Sequence, residues 1–192
     1  MVKRGLCILY VLFYSQFCFG QTHILGFAMP EGVRRVDIPI EIHNNLVVVP
    51  VILNNQLPLK FIVDTGVRTA ILTEKIYSDI LNLSYSRKYT ISGPGGQQLV
   101  DAYITSNVTL DMPGIHGEGH SLLVLGEDYL ELKNSMGTEV HGIFGYELFS
   151  RFVVKIDYEN KKMTLLLPNR FKPKKSYEVI PIILFIRVKF KT

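Results

Sequence analysis

The chain has 192 residues, 47% of them hydrophobic and 20% charged, with no tryptophan, which suits one domain of ordinary size built on its own apolar core. The formal charge of +4 falls to about +2 without Lys3 and Arg4, too little to point to nucleic acid. The only two cysteines, Cys7 and Cys18, fall in a segment that reads as a removable leader. The remaining chain is therefore expected to hold no disulfide, no cysteine nucleophile and no cysteine metal site.

That leader is Met1 to Gly20. Lys3 and Arg4 give a positive start, Leu6 to Tyr14 is apolar, and Cys18 and Gly20 stand at the usual cleavage spacing. A retained membrane anchor is the alternative, but the run falls short of the ~20 apolar residues of a spanning helix. Cleavage before Gln21 predicts a secreted, periplasmic or cell-envelope protein with no stable membrane anchor afterwards. Residues 21–35 then form a lead-in, and 36–168 a folded lobe.

From Val36 onward the pattern is β. Ile38-Pro39-Ile40-Glu41-Ile42 alternates, and Leu46 to Leu53 is rich in β-branched residues. Asn54-Asn55-Gln56 signals a turn before Leu57 to Val63 returns as a strand. Ile76, Ile80 and Leu81 predict one short helix between Ala70 and Leu83. Tyr89 to Tyr103 reads as a hairpin tipped by Pro94-Gly95-Gly96, and Phe152 to Leu167 as a second hairpin turning at Tyr158 to Lys162. Brief strands broken by glycine, asparagine and proline predict an all-β domain with one or two short helices.

Chemistry concentrates at Lys60-Phe61-Ile62-Val63-Asp64-Thr65-Gly66-Val67, where an apolar strand runs straight into a carboxylate. Burying a lone carboxylate is costly unless it is paired or hydrogen-bonded. Thr65 offers a hydroxyl to a neighbouring loop, and Gly66 allows a tight turn and a close backbone approach. On these residues alone Asp-Thr-Gly is also an ordinary β-turn. His116-Gly117-Glu118-Gly119-His120 brings two histidines near a carboxylate, but two glycines oppose the helix that aligns zinc ligands. It reads as a polar loop between strands, and no metal site is predicted. His141 is assigned no role, and Asp157, beside a turn and without a hydroxyl–glycine sequel, reads as structural. Asn82-Leu83-Ser84 and Asn107-Val108-Thr109 match glycosylation acceptors, relevant only in a eukaryotic secretory route.

Three features in order carry a family resemblance: Ile62-Val63-Asp64-Thr65-Gly66, the glycine-rich Ser92 to Gln98, and Gly142-Ile143-Phe144-Gly145 leading into Tyr146-Glu147-Leu148-Phe149. Together they resemble one lobe of the pepsin-like and retroviral-type (retropepsin-like) aspartic proteases, over roughly Val36 to Pro168. More narrowly, the chain is similar to the first half of secreted bacterial aspartyl proteases that carry a second Asp-Thr-Gly lobe and a PDZ module. The resemblance implies a closed β-barrel lobe acting on a peptide or protein substrate without a cofactor. It implies Asp64 as the catalytic acid, Thr65 bracing the opposing loop and Gly66 letting the two loops approach. Pro94, Gly95 and Gly96 would belong to a substrate-covering flap, and Gly145 would be the glycine of the ψ-loop.

Such catalysis needs two carboxylates sharing a proton. Only one Asp-Thr-Gly is present, so the second is expected from a homodimer or a further lobe. Val67 stands where pepsin-like enzymes usually carry serine or threonine, while the retroviral branch accepts a small apolar residue. Loss of that hydroxyl predicts a less acidic working range. Two other readings stay open: a protease-like lobe that binds extended peptides without cutting them, and a structural β-domain of the envelope. Phe171-Lys172-Pro173-Lys174-Lys175 reads as a basic linker. Val179 to Phe185 reads as a strand, used for terminal pairing or opening a second lobe.

Overall fold

The structure, a computed structural model, describes residues 24–92, 99–178 and 180. The expected leader, the hairpin tip with Pro94, Gly95 and Gly96, and nearly all of the terminal strand lie outside these residues.

The chain opens with β1 (Gly26–Ala28), β2 (Arg35–Pro39) and β3 (Glu41–His43), followed by the long strands β4 (Leu46–Leu53) and β5 (Leu57–Asp64). Asn44 and Asn45 take φ of 47° and 63°, and Asn54 and Asn55 take 50° and 56°. Asparagine tolerates this left-handed region, and paired left-handed residues match the twist of hairpin strands. So β3, β4 and β5 form a tight meander. Pro50 is accommodated within it because β3 pairs β4 at Leu46 to Val48 and β9 (Leu110–Asp111) pairs it at Ile52 and Leu53, leaving Pro50 in the gap. A residue without an N–H is tolerated where no ladder bond is required.

Next come β6 (Ala70–Leu72), helix α1 (Lys75–Ile80), β7 (Tyr85–Ser92), β8 (Leu99–Val108), β10 (His116–Glu118) and β11 (His120–Leu125). Helix α2 (Leu132–Met136), β12 (Gly142–Gly145), helix α3 (Tyr146–Arg151), β13 (Val153–Asp157) and β14 (Lys162–Leu166) complete the order, before a 3-10 turn at Pro168–Arg170. The all-β class is as expected, with three short helices among the described residues where one or two were predicted.

The nine-stranded sheet runs β3-β4-β5-β12-β6-β11-β8-β7, with β9 attached to β4. This corrects the closed barrel: β3 and β7 are separate ends of an open sheet. The reason lies in β7, whose central residues from Ser86 to Thr90 are all exposed, so it offers no apolar face for closure. A three-stranded sheet, β13-β14-β2, packs against the large one, and β1 pairs β10. Ile38, Met163 and Leu165 from the small sheet share one core with Val49, Phe61, Leu72, Leu122 and Leu148. Each such buried side chain contributes about 1.5–3 kcal/mol relative to exposure. Among the described residues no helix is long and apolar enough to cross a membrane.

Candidate active site

Strand β5 is buried at Leu59, Phe61 and Ile62 and emerges into solvent at Asp64. Its neighbour on one side is β12, paired in parallel so that Gly142 faces Phe61 and Gly145 faces Asp64. β12 also pairs antiparallel with β6, so it sits between two strands that are near each other in the chain and far before it. The contact is main chain on main chain. A Cβ on Gly145 would lie 1.9 Å from the Asp64 carbonyl oxygen and 2.5 Å from its carbonyl carbon. Only glycine allows that approach.

The loop after the strand is pinned at several points. The Gly66 N–H donates to Asp64 Oδ1 at 2.8 Å. The Val67 N–H donates to the Asp64 carbonyl at 3.3 Å, and the Tyr146 N–H to the Val67 carbonyl at 3.0 Å. The Arg68 guanidinium lies 5.3 Å from the centre of the Tyr146 ring, a cation–π distance. Asp64, Thr65 and Gly66 are nonetheless exposed. Among the described residues the Thr65 hydroxyl has no hydrogen-bond partner, and the Asp64 carboxylate has only Gly66. The scaffold thus fixes the backbone while leaving the reactive oxygens open.

Asp64, Thr65, Gly66 and Gly145 are therefore brought together. The β7–β8 hairpin is present and longer than expected, pairing from Tyr85 with Thr105 to Ser92 with Leu99. Pro94, Gly95 and Gly96 fall outside the described residues. Leu99, where the hairpin leaves its tip, is 72% exposed.

The histidine–glycine stretch departs from the polar loop expected. His116 to Glu118 and His120 onward are strands, and His120 lies inside with a side chain only 1% exposed. Its Nδ1 is 2.5 Å from Glu147 Oε2, and its ring centroid is 4.4 Å from that of Phe27. His120 Nε2 is buried without a hydrogen-bond partner among the described residues. The hydrogen bond from His120 holds the Glu147 carboxyl below the usual glutamate range. Glu147 stands in the first turn of α3, two residues after Gly145, so this pair anchors the helix that follows the glycine. The overlooked signal was period-2 burial: His120, Leu122 and Val124 share the inward phase of β11.

His141 also proves structural. Its Nδ1 accepts the Lys60 N–H at 3.0 Å, and its own N–H donates to the Lys60 carbonyl at 2.8 Å. The His141 carbonyl accepts from both the Thr73 N–H and the Thr73 hydroxyl at 3.0 Å. Acceptance at Nδ1 places the proton of the neutral ring on Nε2. Burial lowers the His141 pKa, which favours that neutral form. Asp157 caps its turn, accepting the Asn160 N–H at 3.0 Å. No group of three or more potential metal ligands occurs among the described residues.

No curated protein matches the chain in sequence. The crystal structure of a retropepsin-like aspartic protease from Rickettsia conorii is similar at 18% identity, with a TM-score of 0.45 over 75% of this chain and 96% of that one. The family model described as aspartyl protease matches residues 49–148, more than half of the chain, from β4 to the start of α3. That span includes both Asp64-Thr65-Gly66 and the Gly145 that packs on it, and the chain belongs to the aspartyl protease family.

Proposed function

We propose that this chain is an exported aspartic endopeptidase whose active site forms when Asp64 meets a second carboxylate, supplied by a twofold mate or by another lobe. The observation that carries this reading is the way Asp64 is held. Its backbone is locked against Gly145, while its carboxylate and the Thr65 hydroxyl point to solvent without a further protein partner among the described residues.

Two carboxylates brought together cannot both ionise comfortably, so the pair shares one proton. The ionised member takes a proton from water as that water attacks the peptide carbonyl, and the protonated member polarises the carbonyl oxygen. A proton then passes to the departing amine as the C–N bond breaks. The two apparent pKa values belong to the pair. In this reading Thr65 braces the opposing loop, and Gly66 lets the loops approach. The β7–β8 hairpin, with exposed Leu99 near its tip, covers the peptide and excludes water. Val67 supplies no hydroxyl to the carboxylate, which supports a working range less acidic than that of pepsin-like enzymes. Export to the periplasm, cell envelope or medium is supported by the leader-like Met1 to Gly20.

The test is light scattering of the chain from Gln21 to Thr192 across concentration, alongside cleavage of a peptide library. A dimer that cuts peptides, is blocked by pepstatin and loses activity by about 10³-fold or more in Asp64→Asn is expected. A persistent monomer that binds peptides without turnover would leave a lobe that grips its ligand by strand addition.

A further inference from the structure

The three-stranded sheet has one face in the core and one outside. Val36, Ile38, Met163 and Leu165 point inward. On the outer face the register aligns Lys155 with Thr164 and Asp37, and Val153 with Leu166 and Arg35. After the 3-10 turn the chain returns across this face. Arg35, Lys155, Arg170, Lys172 and Lys174 then surround a cleft of about 340 Å³, with Phe171 and Tyr177 contributing aromatic walls.

Four lysines elsewhere in the lobe are paired with carboxylates, whereas most cations of this cleft are not. Lys60 is paired with Glu41, Lys75 with Asp79, Lys88 with Asp101 and Lys133 with Glu139. Within the cleft only Arg35 has a carboxylate, Asp37 at 3.0 Å. Asp37 is already shared, accepting the Thr164 hydroxyl at 2.6 Å and lying 3.6 Å from Lys162. Lys155, Arg170, Lys172 and Lys174 reach no carboxylate at ion-pair distance among the described residues. Nor does this sequence hold one in reserve. All 17 aspartates and glutamates lie within the described residues, and those outside them contribute only neutral or cationic side chains.

Like charges crowded around a concave wall repel one another and focus a positive potential into the cleft, which Asp37 beside Arg35 and Asp157 near Lys155 offset only in part. Guanidinium forks suit phosphate oxygens bidentately, and lysines add point charge. The volume falls within the range of small-ligand sites, roughly 300–1,000 Å³. We propose that this cleft binds phosphate, presented either by a free phosphorylated small molecule or by the headgroup of a lipid. The cleft is built on the β13-β14-β2 sheet and Asp64 on the nine-stranded sheet, so the proposal does not depend on proteolysis.

The experiment is calorimetric titration of the whole chain with inorganic pyrophosphate at about 0.15 M salt, where long-range charge effects are screened. In parallel, the chain is floated with vesicles of phosphatidylcholine alone and of equal parts phosphatidylcholine and phosphatidylglycerol. Pyrophosphate binding identifies a soluble ligand class. Binding only to the phosphatidylglycerol vesicles identifies a headgroup. In either case Lys155→Glu with Arg170→Glu should weaken binding by about tenfold or more, and Lys133→Glu should leave it unchanged. If the double variant fails to fold, Lys155→Gln with Arg170→Gln serves in its place, with a smaller loss expected. Absence of binding to both probes, sulfate binding as tight as pyrophosphate, or unchanged affinity in the cleft variants would overturn the proposal.

Discussion

Asp64 and His120 stand on either side of the corner where β12 becomes α3, and they are held in opposite ways. Asp64 is fixed through its main chain, against Gly145, and its side chain is exposed. His120 is fixed through its side chain, buried against Phe27 and bound to Glu147. A group that must react needs free oxygens, so its position has to come from the backbone. A group that only anchors can spend its whole side chain on contacts.

The sharpest way to break this contrast is Gly145→Ala. The added methyl would overlap the Asp64 carbonyl, and backbone cannot yield as a flexible side chain does. A loss of about 3 kcal/mol in urea unfolding is expected, together with any proteolytic activity. Asp64→Asn should change stability by no more than about 0.5 kcal/mol, because the side chain it alters is exposed. Equal effects from the two substitutions would dissolve the distinction.

His120→Ala comes next. It empties a buried ring site and strips Glu147 of its partner, for an expected cost of about 2–3 kcal/mol. A loss under half of that would mean the pair does not anchor α3. Glu147→Gln is milder and depends on pH. The folded carboxyl titrates below its ordinary value of 4.5. Its contribution to stability is therefore present above that value and is lost as pH falls through the folded pKa. The stability gap between wild type and Glu147→Gln should be full at neutral pH and should shrink in strong acid, as measured by denaturation at both. A gap that grew on acidification would reverse the assignment.

Val67→Ser should do least to the fold, within about 0.5 kcal/mol. Its readout is the acid limb of the pH–activity profile, expected to move lower as a hydroxyl reaches the carboxylate. An unmoved limb would remove Val67 from the account of working range.

Much of the fold was legible because its signals are local. The Asn54-Asn55-Gln56 turn, the alternation in β2 and the run of β5 into Asp64 need no distant partner to be recognised. The glycine of Gly142-Ile143-Phe144-Gly145 was legible through its resemblance, but not its reason, since the clash it avoids is with a strand far away in the chain. Open ends instead of a closed barrel depend on what β7 meets, which composition does not state. His120 was hidden by its glycine neighbours, which suggested a loop while the strand phase carried the ring inward. Phe171 to Lys175 reads as a linker by composition, yet it turns back across the β13-β14-β2 face, where Phe171 and Tyr177 flank the cleft.

The insertion of β12 between β5 and β6 has a consequence for the order of events during synthesis. The β3-β4-β5 meander closes through short turns, at little cost in chain entropy, whereas the β5–β12 contact closes a long loop and is intrinsically slower. A ribosome makes Asp64 well before it makes Gly145. Until the later strand fills its slot, the acid has no fixed backbone and no partner geometry. A half-made chain for that reason lacks the backbone frame of Asp64, which exists only once β12 has been made and inserted.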